Sequence, residues 1–248
     1  MTTFIFLKRL FLAIFAIYLL PTFASAGWWA LQDHPARWSE ANWGSAGILP
    51  EASQSDEAAV YVFSAKTGGL KGAVASHAWI VTKEKGARTY TRYDKVGWGS
   101  PIRRNHRPAD AFWYSNRPEL VTKITGEDAQ ALIPKVEAAI AAYPYAEPGG
   151  YTIWPGPNSN TFVAHVLRSV PELGAVLPPH AVGRDYLPDG AFVHLDQDGK
   201  DLHLTIRGLI GLSAGVRSGF EVHFLGLVAG IDVMRPGIKI PAFGRIGV

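Results

Sequence analysis

The sequence predicts an α+β protein: an antiparallel sheet with a packed helix, followed by a Gly-rich β-hairpin appendage at the C-terminal end. Three observations carry this. Strand-like apolar runs cluster between residues 59 and 125. Stretches with helical spacing follow, from Thr125 to about Tyr143 and from Ser159 to Val170. Beyond Pro171 the texture turns to short β segments separated by glycine.

Composition sets the outer limits. The chain has 248 residues, 48% hydrophobic and 12% aromatic, which excludes a disordered polymer. It has no cysteine, so disulfides, thiolate metal sites and a cysteine nucleophile are excluded. Lys+Arg total 24 and Asp+Glu 21, but Lys8 and Arg9 fall within the first 26 residues, which hold no acid. The remainder carries 22 − 21 = +1, too little for a nucleic-acid footprint.

Residues 1–26 read as a signal peptide or a membrane anchor. Lys8 and Arg9 precede the apolar run Phe11–Leu20, Pro21 is expected to break the helix, and Ala24-Ser25-Ala26 is a small-x-small cleavage site. Uncleaved, Phe4–Ala26 has the length to span a bilayer, with Trp28 and Trp29 at the interface. Either way the body is exported, to the periplasm, free or tethered to the inner membrane. Residues 27–58 form a Trp-rich segment and linker, in which Asp33 is expected to cap a short helix that begins at Asp33–Trp38 and that Gly44 and Gly47 end. Its indoles either pack on the domain or touch lipid, so residues 4–43 are the candidate membrane-associating region.

Residues 59–190 make the α+β core. Ala59–Ser64 is a strand, and Val74–Thr82 with Ala87–Lys95 a hairpin around Glu84-Lys85-Gly86. Glu119–Thr125 is a further strand. Thr125-Gly-Glu-Asp128 reads as a capping box opening a helix, which Pro134 should kink or restart. The second helix, from Ser159, has Phe162, Val163, Val166, Leu167 and Val170 on one side. In residues 191–248, Ala191–Leu195 and Asp201–Arg207 flank a turn, and Pro236 and Pro241 preclude a long helix.

Chemistry concentrates at Trp154-Pro-Gly-Pro-Asn-Ser-Asn-Thr-Phe162. A helix start carries free N–H groups and a positive dipole end, so a nucleophile there has oxyanion donors beside it. Ser159 is the candidate nucleophile, His77 the candidate base and Asp94 the group that orients the imidazole. Backbone N–H groups near Asn160, with the Asn158 amide, would hold the oxyanion. The plainer reading makes Asn158–Asn160 a helix cap and His77 a core residue. Other groups carry less: His165 lies on the wrong side of the helix from Ser159, and Asp196, Asp198 and Asp201 fit a turn better than calcium. His194 with His203 lacks a third metal ligand. His180, Arg184 and Asp185 either line a pocket or tie their loop down. Arg103, Arg104, His106 and Arg107 form a basic loop, solvated or anion-binding. No metal or organic cofactor is required.

Ser76-His77-Ala78-Trp79-Ile80, Tyr93-Asp94-Lys95-Val96-Gly97-Trp98-Gly99, the Trp154–Phe162 block and Gly183-Arg184-Asp185-Tyr186-Leu187 resemble a bacterial family called domain of unknown function 3750. That resemblance implies an exported or membrane-associated protein and no activity. More distantly, the order His77, Asp94, Asn158-Ser159 is similar to circularly permuted papain-like hydrolases and acyltransferases, with serine in the cysteine position. This implies a papain-like fold and attack on an amide or ester, with peptidoglycan peptides or lipid acyl groups as substrates. The alternative is a non-enzymatic domain that binds cell-wall or lipid ligands in the same cleft.

Overall fold

The computed structural model describes residues 2–247; Met1 and Val248 lie outside them. The chain begins as α1 (Thr2–Ile14), passes through a π-helical turn over Phe15–Leu19, and continues as α2 (Leu20–Ala30). Pro21 therefore does not end the helix. It falls in the first turn of α2, where the missing N–H and fixed φ are tolerated. The stretch Thr3–Ala30, which contains an 18-residue window of mean hydropathy 2.0, is long and apolar enough to cross a membrane; a signal sequence has the same properties. Its C-terminal end is tied to the body: Ser25 Oγ donates to Ala73 O at 2.5 Å, and the Trp29 ring lies where a Cβ on Gly72 would stand. Asp33 caps no helix; only a single 3₁₀ turn, Trp38–Glu40, forms in that region.

The core sheet has the order β4-β3-β2-β1-β5, with every neighbour antiparallel. Its strands are β1 (Ala59–Lys66), β2 (Ser76–Lys83), β3 (Thr91–Lys95), β4 (Ile102–Arg104) and β5 (Glu119–Thr125). Alternation along β1 and β2 divides the side chains between two cores. Val60, Val62, Ala78 and Ile80 face α3 (Gly126–Ala141) and α4 (Ser159–Ser169), whose Ile133, Val136, Phe162 and Val166 complete a closed apolar layer. Tyr61, Phe63, Trp79 and Val81 face the other way, under Trp43, Trp113 and Tyr114. Thr125 stands at the N-cap of α3 but its side chain makes no capping bond, so the expected capping box does not form; the helix runs on through Pro134.

The C-terminal region is larger than a hairpin. β6 (Val193–Leu195), β7 (Asp201–Ile206), β8 (Ile210–Gly215), β9 (Gly219–Phe224), β10 (Leu227–Asp232), β11 (Gly237–Ile240) and β12 (Gly244–Gly247) pair in sequence order as one antiparallel meander. Its two faces invert the usual arrangement. One ladder row, His194–His203–Ser213–Glu221–Gly230–Lys239–Arg245, carries polar side chains, with Ser213, Glu221 and Lys239 buried and His194, His203 and Arg245 partly so. The adjacent row, Leu195–Leu202–Ala214–Phe220–Ile231–Ile238–Ile246, is apolar and exposed. The sheet docks through ion pairs: Arg184 Nη2 meets Glu221 Oε2 at 2.5 Å, and Lys239 Nζ donates to Glu221 Oε1. Burial would raise the Glu221 carboxyl, but Arg184, His223 and Lys239 hold it well below the usual range.

Candidate active site

His77 is the second residue of β2 and pairs with Ala65, so its ring lies on the Trp79 side of the sheet. The ring stacks flat on Trp113, centroids 3.7 Å apart and planes within 5°. Its Nε2 donates to Asp94 Oδ1 at 2.9 Å, with both side chains buried. Asp94 in turn accepts from Arg92 at both oxygens, Nε to Oδ2 at 2.6 Å and Nη2 to Oδ1 at 2.7 Å. Arg92 also donates to Pro108 O at 2.8 Å, and its guanidinium lies 4.0 Å from the centroid of Trp79.

This arrangement fixes the protonation states. Burial alone would raise the Asp94 carboxyl, yet Arg92 and His77 bring it well below the ordinary carboxylate range. An ionised carboxylate can only accept, so the shared proton sits on Nε2 and leaves the lone pair on Nδ1. Burial pushes the His77 pKa down; the hydrogen bond to Asp94 offsets only part of this, and Arg92 adds to it. At neutral pH His77 is therefore an uncharged imidazole able to take a proton.

At the other side stands the start of α4. Asn158 is its N-cap: Oδ1 accepts from Asn160 N at 2.9 Å and Thr161 N at 3.2 Å, and Thr161 Oγ1 accepts from Asn158 N at 3.1 Å. The Asn158 Nδ2 donors go to Ile153 O and Val182 O, each at 3.0 Å. Asn160 Nδ2 donates to Ser76 O at 2.8 Å, next to His77, and to Val182 O at 2.9 Å. The expected oxyanion donors at Asn158 and Asn160 are thus committed to the fold. Ser159, between them, takes no part in the cap. Beside it lies Tyr151: burial raises the phenol pKa, and the Ser159 hydroxyl and backbone N–H partly offset that rise. Position 151 went unnoticed in the sequence because the Pro- and Gly-rich loop around it has no periodicity.

His77, Ser159 and Tyr151 line one cavity of about 590 Å³, bounded also by Trp113 and, from the N-terminal helix, Thr22. Among the described residues no hydrogen bond joins His77 to Ser159. Asp94, by contrast, opens onto a separate cavity of about 260 Å³ on the far side of Trp113, where Arg103, His106 and Arg107 meet Trp38 and Trp43. The basic loop is accordingly not a free arm: Ile102–Arg104 pairs with β3, and Arg107 lies 4.4 Å from the Trp43 centroid.

The remaining residues sort into structural partners. His165 packs edge-on against Tyr143, and burial lowers its pKa to about 4. Arg217 binds Asp196, Asp198 and Asp201 together, at 3.0, 2.7 and 2.9 Å, so the acidic turn already holds its cation. His194 and His203 do sit opposite each other, but His203 bonds Asp196 and Ser213. His180 pairs with Glu119 at 3.0 Å, tying its loop to β5. Among the described residues no cluster of three or more His, Asp or Glu is arranged to hold a metal.

No curated protein and no solved structure matches this chain. Residues 57–186, which include β1 to α4 with His77, Asp94, Tyr151 and Ser159, match the family described as protein of unknown function DUF3750. The chain belongs to that family.

Proposed function

We propose that the protein is an exported, envelope-located acyl hydrolase or acyltransferase, in which Ser159 attacks an amide or ester carbonyl. The single observation that carries this is the shared cavity: a neutral, Asp94-held imidazole and a helix-start serine border the same space. His77 Nδ1 takes the serine proton as Oγ bonds to the carbonyl carbon, and returns it to the leaving nitrogen or oxygen as that atom's bond to the carbonyl carbon breaks, which leaves Ser159 acylated. Water or an acceptor hydroxyl or amine, deprotonated by His77, then attacks the acyl carbon, and the proton returns to Oγ as the bond to Ser159 breaks. Asp94 keeps the proton on Nε2, and Arg92 and Trp113 hold both rings and charges in place. The Tyr151 hydroxyl is the donor placed beside a developing oxyanion, since those of Asn158 and Asn160 are taken and the Ser159 N–H acts on Tyr151 itself. The papain-like comparison rests on the order His77, Asp94, Ser159 alone. Peptidoglycan peptides and lipid acyl groups are the substrate classes this reading favours.

The missing His77–Ser159 hydrogen bond favours a second reading, a binding domain that uses the same cavity without turnover. Such bonds can tighten only when substrate is bound. A fluorophosphonate probe separates the two. Labelling of the full chain that is lost in Ser159→Ala and greatly slowed in His77→Gln supports the enzyme. Absence of labelling, or labelling that survives Ser159→Ala, overturns it.

A further inference from the structure

The outward face of the C-terminal meander is apolar from edge to edge. Beside the row from Leu195 to Ile246 runs a second, Val193–Leu204–Leu212–Val222–Ala229, and no outward strand position carries a charge. Val193 is 58% exposed and Ile238 59%. Seven strands of three to six residues, at ~4.8 Å spacing and ~3.4 Å per residue, make a plane on the order of 500 Å². That matches the largest apolar patch of an ordinary soluble monomer, and patches of this size often mark interaction sites.

We infer that this face lies against the acyl chains of a lipid bilayer. The N-terminal helix identifies the partner. Tyr18, midway along the apolar stretch Thr3–Ala30, rests its ring on Phe224 (centroids 5.5 Å apart) and donates from its hydroxyl to Val222 O at 2.9 Å. Both residues are on outward positions of β9. Helix and sheet therefore form one continuous apolar surface, and a medium that accepts the helix also meets the sheet. The same contact disfavours a second copy as occupant. Two sheets pack face to face at ~10 Å, and a helix of ~10 Å diameter already fills that gap over one end of the face.

The inverted polarity fits a shallow location. The buried polar row stays inside the protein, against Arg184 and its neighbours. The open edges at β6 and β12 keep unpaired backbone groups that cannot enter hydrocarbon, so the sheet lies flat in the interface rather than across the membrane.

The absence of cysteine makes the test direct. Single Leu204→Cys, Ile231→Cys and Gln197→Cys variants of the full chain carry a nitroxide label and are reconstituted into phosphatidylethanolamine–phosphatidylglycerol vesicles. Collisions with oxygen and with a water-soluble nickel chelate are then measured. Labels at 204 and 231 should show high oxygen and several-fold lower nickel accessibility than the label at 197, which lies in an exposed turn. Equal nickel access at all three positions would place the face in water and overturn the inference. So would exclusion of both reagents from 204 and 231 with spin–spin broadening between copies, the signature of a second chain on the face.

Discussion

At the scale of the residue, the helix start divides its labour between neighbours. Asn158 closes the capping box and spends its amide donors on two carbonyls, so Asn158→Ala should cost about 2 kcal/mol from the cap alone in denaturant unfolding. Ser159→Ala touches none of those bonds and loses only its hydroxyl's contact with Tyr151, about 1 kcal/mol, so loss of probe labelling in a variant that still folds reports chemistry. The converse substitution is more informative still. In Ser159→Cys the helix start and His77 should draw the thiol pKa below the free value of ~8.5, read as fast alkylation by iodoacetamide at neutral pH. A second change, His77→Gln, should slow that alkylation; an unchanged rate would show that His77 does not act on position 159. Asp94→Asn leaves the Arg92 guanidinium buried without its charge partner and should destabilise by about 3 kcal/mol or more.

At the scale of the element, packing decided what pattern alone left open. The strands near residues 59–66, 76–83 and 119–125 and both later helices were legible because apolar periodicity and turn residues agree there. The capping box at Thr125 was misleading: the residue types were right, but its side chain makes no bond to the backbone. At Pro21 the π turn Phe15–Leu19 absorbed what a regular helix would not. For the site, the residue types pointed to His77, Asp94 and Ser159, but the spacing could not reveal Arg92 beneath Asp94 or Tyr151 beside Ser159. Nor could it reveal which side of the C-terminal strands faces out, since alternation reads the same with either face buried. The docking of that sheet gives its own prediction. Glu221→Gln leaves Arg184 and Lys239 buried and unpaired and should cost about 3–5 kcal/mol, with loss of protection from hydrogen exchange concentrated in residues 193–247.

At the scale of the whole molecule, buried histidines set the response to acid. Burial lowers the pKa of His77, His165 and His180, His165 from 6.5 to about 4. The unfolded chain then binds more protons than the folded one below its own histidine pKa of ~6.5, so stability falls as pH drops through that value. His223 works in the opposite sense. Burial lowers its pKa, but Asp185 and Glu221 raise it further, so its contribution is full below ~6.5 and fades as pH rises past its folded value. With His106 and His194 lowered as well, five groups against one should give a melting temperature that climbs from pH 4 to 6.5. Thermal melts across that range check this, and His165→Gln should flatten the climb.

Thr22 forms part of the cavity wall, and it belongs to the segment that cleavage after Ala26 would discard. Proteolytic processing would thus strip a side wall from the space shared by His77 and Ser159, along with the Ser25 and Tyr18 tethers. With the N-terminal helix retained or removed, one gene product yields two differently shaped chambers: one walled on that side by Thr22, the other open toward whatever lies beside β9 and β10. Maturation would then be a change of doorway, with no residue of the His77–Asp94–Arg92 chain altered.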